Sequence, residues 1–228
     1  MAKFTGILLV LQSMIIVMLY NFLAASAFVG GNDEGNINLT FLISSQIFGF
    51  LLTGFTLSYV FRVENITDYS KFEFKIAKVL LSIGFLISAF FLINLVEILQ
   101  KALIPSYLVS SYLNSTHSLH ASYQELARQL QDIHPAMLYL IGALLPAVCE
   151  EFFFRGYLLN LSMKYYSKPT SLFIVSLLFS LIHFQLIALI PLFIFGLILG
   201  ILTIVTEKIS YSILIHFLNN AITLYIVS

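Results

Sequence analysis

The chain has 228 residues, 60% of them hydrophobic and 10% charged, with a mean hydropathy of +0.98. A soluble domain carries ~25% charged residues, so an ordinary water-soluble globule is excluded. Eleven basic residues against eleven acidic ones leave no field for a nucleic acid and no acidic tail. What remains is an all-α polytopic transmembrane helix bundle. At ~20 residues per crossing, about seven spans (six to eight) absorb the apolar content as a single membrane domain, 1–228.

From Phe4 to Val29 no charge interrupts the chain. That run is longer than a signal-peptide core, so it reads as the first span despite the small residues at Ala25, Ser26 and Ala27. Gly30, Gly31, Asn32, Asp33 and Gly35 mark the first turn. A second span follows over 39 to 61, then a charged connector from Arg62 to Lys78 containing Lys71 and Lys75, then a third span over 77 to 100.

Residues 101–134 form a polar loop. Ser122 and Glu125 have capping-box spacing, and Leu126, Leu130 and Ile133 give one apolar stripe, which predicts an amphipathic helix resting on the outer surface or on the bundle. His117, His120 and His134 here read as solvent-facing side chains. Four more spans are expected over 135 to 161, 169 to 189, 191 to 206 and 209 to 227, with Pro191 separating the fifth from the sixth.

Nine of the eleven Lys and Arg residues fall on one face of this arrangement: Lys3, Arg62, Lys71, Lys75, Lys78, Arg155, Lys164, Lys168 and Lys208. Only Lys101 and Arg128 fall opposite. The positive-inside bias therefore predicts a multi-pass protein of the cell membrane with a cytoplasmic N-terminus and, for an odd number of spans, an external C-terminus.

Ionisable residues inside spans cost ~2.5 to 3.5 kcal/mol each on insertion scales, so the exceptions to apolarity point to function. The fourth span contains Glu150, Glu151 and Arg155. Glu151 and Arg155, four apart, share a helix face, whereas Glu150 is turned ~100° away. Pro146, one turn before Glu150, lacks the amide hydrogen that would reach the carbonyl of Gly142, and a kink there would open space beside Glu150. In the fifth span Phe179 and His183 share a face, as do His216 and Asn220 in the seventh. Asn219 reads as a helix-contact amide and Cys149 as a small buried residue pointing away from Glu150.

Glu-Glu-x-x-x-Arg, Phe-x-x-x-His and His-x-x-x-Asn, in that order on separate helices, resemble the CPBP intramembrane proteases. That family comprises CAAX prenyl endopeptidases and bacteriocin-processing or bacteriocin-immunity proteins. The resemblance covers a core of about 135–222 and includes Gly196 and Gly200, a small-xxx-small pair suited to close helix packing. It implies an intramembrane endopeptidase in which Glu150 and His183 activate a water while His216 and Asn220 stabilise the oxyanion. Arg155 would brace Glu151, and Phe179 would support the site. The implied partners are the lipid bilayer and a peptide or prenylated-peptide substrate.

Whether a divalent metal such as zinc takes part is open at this level. Glu150, His183 and His216 supply a two-histidine, one-glutamate set, and a metal-free glutamate mechanism uses the same residues. Two other function classes also survive: a catalytically silent scaffold or immunity protein of the same fold, and a proton- or cation-coupled transporter. The transporter would usually carry paired repeats, which this sequence lacks.

Overall fold

The computed structural model describes residues 2–28, 39–63, 75–103, 134–185 and 188–227, together with 105, 121, 124, 125, 127, 128 and 130. The first turn at 30–35, Lys71, His117, His120, Ser122, Leu126 and Ile133 lie outside the described residues. Among those described, every regular element is helical: α1 (Ala2–Phe28), α2 (Leu39–Val60), α3 (Ile76–Leu103), α4 (135–163), α5 (Lys168–Leu181), α6 (Leu189–Thr206) and α7 (Ile209–Val227). Six are long and apolar enough to cross a membrane. The chain is a multi-pass helix bundle.

The exception is α5. Its expected span ran to 189, but the helix stops after fourteen residues, ~21 Å at 1.5 Å per residue, short of a ~30 Å hydrocarbon core. The apolar run continues past this point, so composition alone could not place the stop. At the stop, Nδ1 of His183 lies 2.7 Å from the Phe179 carbonyl, the group its own amide would take in a continuing helix. The backbone tightens to His183 N–Ser180 O and Phe184 N–Leu181 O bonds, and Phe184 adopts a φ of 52°.

Two helices are widened locally. In α4 the backbone is π-helical over Leu140–Leu144, just before Pro146, and again over Phe152–Leu158. A π-bulge leaves carbonyls short of partners, and π-bulges recur at functional sites. Asn160 meets part of that need: its side-chain amide donates to the carbonyls of Arg155 (3.2 Å) and Gly156 (2.8 Å). A third π segment occupies Ser45–Leu52 of α2.

The central core joins all seven helices around Phe153, Phe154, Tyr157 and Phe179, all essentially inaccessible, with α3 contributing Leu86 and Ala89. Tyr157 reaches α1 through a 2.7 Å contact between its hydroxyl and that of Ser13. Helix α3 lies at the periphery, its exposed Leu80, Ile87, Phe91, Leu95 and Ile98 forming a lipid-facing surface. A second apolar cluster sits at the opposite end from most of the lysines, where Ala127 and Leu130 are buried against Leu138, Ala143 and Leu224. The described part of the amphipathic segment therefore packs on the bundle, with Glu125 and Arg128 paired at 2.7 Å on its outer side.

Gly196 and Gly200 bring α6 against α5 as their spacing predicts. A Cβ at Gly196 would stand 3.2 Å from both Cα and Cβ of Ser176 and 3.2 Å from the Phe179 ring. Two of these neighbours belong to or adjoin backbone that cannot swing aside. Gly196→Val is therefore expected to cost about 1–3 kcal/mol through forced separation of the helices. Thermal unfolding in detergent micelles checks this, and an unchanged Tm would mean that the interface is loose.

Candidate active site

Helix α4 presents its two adjacent carboxylates in different directions. Glu151 is fully buried and its Oε1 accepts from Arg155 Nη1 at 2.8 Å, the pairing expected from their four-residue spacing. The same Oε1 lies 2.9 Å from Nδ1 of His216 on α7. An ionised carboxylate can only accept, so Nδ1 of His216 carries a hydrogen and donates it. Sequence spacing gave Glu151 the Arg155 contact alone, because a neighbour 65 positions away leaves no local signature.

Arg155 spans the centre of the site. Its Nη2 donates to the Gly196 carbonyl (2.9 Å), and its guanidinium lies 4.7 Å from the ring centroid of Phe179. Phe179 in turn meets the rings of His183 and His216 edge-on, at 5.0 and 6.0 Å. Phe195 closes the other side of His216 at 5.6 Å.

Glu150 points into a cavity of about 250 Å³ that it shares with Pro146, His183, His216, Asn219 and Asn220. Pro146 and Gly142 both line this space, as the proline position suggested. The Oε2 atom of Glu150 has no hydrogen-bond partner among the described residues and lies 3.9 Å from His216 Nε2. His183 is half-buried. Its Nδ1 is engaged by a carbonyl, so the hydrogen sits on Nδ1, and in the neutral ring Nε2 is left as an acceptor.

All four residues expected at the centre, Glu150, His183, His216 and Asn220, line one cavity, as does Phe179. Asn219, expected as a helix-contact amide, lines it too, its Nδ2 3.5 Å from Asn220 Oδ1. Cys149 is buried and absent from the lining. Three further polar residues escaped sequence reasoning. Gln185 and Thr223 line the cavity, and Gln46 of α2 donates from Nε2 to Glu150 Oε1 at 3.2 Å. Gln46 and Gln185 are amides inside apolar runs, a weaker signal than a charge.

A metal ion asks for three or more ligands converging at ~2 Å. Among the described residues no three His, Cys, Asp or Glu side chains gather closely enough to hold one. The set Glu150, His183 and His216 thus does not fit a zinc site in this geometry, and no step below is routed through a metal.

Residues 132–222 match the model of the Rce1-like family, type II CAAX prenyl endopeptidases. The matched segment holds all three polar motifs and covers less than half of the chain. No curated protein and no solved structure matches. The Rce1-like family is one of proteases, and its match agrees with the resemblance carried by Glu150–Arg155, Phe179–His183 and His216–Asn220.

Proposed function

We propose that the protein is an intramembrane endopeptidase of CAAX type that cleaves a lipid-anchored peptide with a water activated by Glu150. The observation supporting this most strongly is the convergence of a Glu150 oxygen unpartnered among the described residues, two imidazoles and three amides in one cavity of a largely apolar bundle.

In this reading a water lies between Glu150 Oε2 and His183 Nε2, both acceptors, and attacks the scissile carbonyl carbon. Its proton passes to Glu150 Oε2 as the C–O bond forms. The electron pair of the carbonyl moves to its oxygen, which accepts from the Asn220 side-chain amide and from Nε2–H of His216. Nδ1 of His216 is already donating to Glu151, so His216 must be an imidazolium to donate from Nε2 as well. Charge balance supports that form: two carboxylates and one guanidinium leave a buried charge of −1, which an imidazolium brings to zero. Collapse breaks the C–N bond, and the proton held by Glu150 passes to the leaving amine. The low-dielectric walls strengthen each of these contacts.

The direct test uses protein reconstituted in liposomes and a quenched fluorescent peptide ending in a farnesylated cysteine and three further residues. Release of the terminal tripeptide is expected, and intact peptide after prolonged incubation would defeat the reading.

The positive-inside bias supports a cytoplasmic lysine-rich end. A cysteine introduced at Lys164 in a Cys149→Ala background is expected to resist membrane-impermeant maleimide in intact cells and to react after permeabilisation. Labelling of intact cells would reverse the orientation.

A further inference from the structure

Gln46 is a polar side chain that the mechanism above leaves unused, and it donates to the residue proposed as base. It belongs to α2, outside the matched segment 132–222, on the second position of the π-helical stretch Ser45–Leu52. Its Nε2 donates to Glu150 Oε1 at 3.2 Å, across 104 positions of chain. Its own Oε1 is buried without a partner among the described residues, so no second hydrogen bond there explains why an amide stands inside this apolar helix. The orientation of the amide also carries information. Turned over, it would set its oxygen against a carboxylate oxygen, and a carboxylate that only accepts selects the NH2 side.

We propose that Gln46 is a positioning residue for Glu150: it occupies Oε1, fixes the plane of the carboxylate, and thereby makes Oε2 the oxygen that receives the proton of water. The inference rests on the protease reading. The two oxygens differ in this structure. Oε1 is tied to α2, whereas Oε2 has no hydrogen bond among the described residues and lies 3.9 Å from His216 Nε2. Without the α2 donor the carboxylate can rotate about its terminal torsion, which is intrinsically soft, and spends less time with a lone pair aimed at the water. A supporting contact of this kind is typically worth 10–100-fold in activity. The charged and titratable groups around Glu150 are Cys149, Glu151 and Arg155 on its own helix, His183 after α5 and His216 on α7, while α6 contributes the apolar Leu192 and Phe195. None of the others donates to Oε1 among the described residues.

The experiment measures kcat and KM for the farnesylated peptide in liposomes with unmodified protein, Gln46→Met, Gln46→Glu and Glu150→Gln. Gln46→Met keeps the reach and removes the donor. It is expected to lower kcat about 10–100-fold while KM stays within about twofold. Gln46→Glu keeps the shape and replaces the donor by an acceptor. Its kcat should be low at pH 8 and should recover relative to the unmodified protein as pH falls, because a protonated carboxyl can again donate to Glu150. That recovery is something a purely structural role would not produce. A Gln46→Met kcat within twofold of the unmodified value overturns the proposal. So does a rise in KM alone, or a Gln46→Glu deficit that stays constant with pH. If Gln46→Met does not fold, the pH trend of Gln46→Glu decides. Glu150-dependent cleavage combined with an indifferent Gln46 sinks this inference alone; absence of Glu150-dependent cleavage sinks the protease reading and this inference together.

Discussion

Glu150→Gln is expected to reduce cleavage of the farnesylated peptide by about 10³-fold, within the 10²–10⁴-fold range for loss of a general base, while leaving folded yield and Tm close to those of the unmodified protein. The substitution keeps size and shape, and the amide can still accept from Gln46 through its oxygen. Glu150 has no ionic partner at hydrogen-bond distance among the described residues: His216 Nε2 stands at 3.9 Å. Removing the charge leaves His216 still hydrogen-bonded to Glu151 through Nδ1. Initial rates and thermal melts on the same preparations check both halves, and a rate within threefold of the unmodified protein would remove Glu150 from the chemistry.

The opposite pattern is expected one residue and one turn further on. Arg155→Met should lower stability by about 3–5 kcal/mol, the usual cost of stranding one partner of a buried ion pair. Arg155 and Glu151 are 1% and 0% exposed, and the loss would also strip the Gly196 carbonyl of its donor. Much of the membrane-inserted protein should then be lost to misfolding, read as a fall in monodisperse yield and Tm. For the same reason Glu151→Ala should depress folded yield more than Glu150→Gln does. Equal yields would mean that the adjacent carboxylates do not divide their labour between support and chemistry.

The contrast also explains what was legible from the chain alone. Seven apolar runs and the odd charged residues within them were visible because lipid imposes a large penalty on each charge. Glu150, Glu151, Arg155, His183 and His216 therefore stood out in any window. The face-sharing pairs at four-residue spacing were legible because helix geometry is fixed over one turn. Gln46, Gln185 and Thr223 were not, since neutral side chains stand out less against apolar neighbours. The Glu151–His216 contact was hidden because no periodicity reaches from α4 to α7. The early end of α5 was hidden as well: it depends on an imidazole taking over a backbone carbonyl, and apolar residues resume after Gln185.

The aromatic core has a consequence for the cell. On α4 the cavity lining ends at Glu150, and just beyond it toward the lysine-rich end Phe153, Phe154 and Tyr157 pack with Phe179, ring centres 5.1 to 5.8 Å apart, edge to face except for the tilted Phe153–Tyr157 pair. A hydrolase that draws solvent halfway through a bilayer thins the insulation against ion leakage, and this plug of rings restores it. If the protein cleaves as proposed above, these rings separate its water from the lysine-rich face of the membrane.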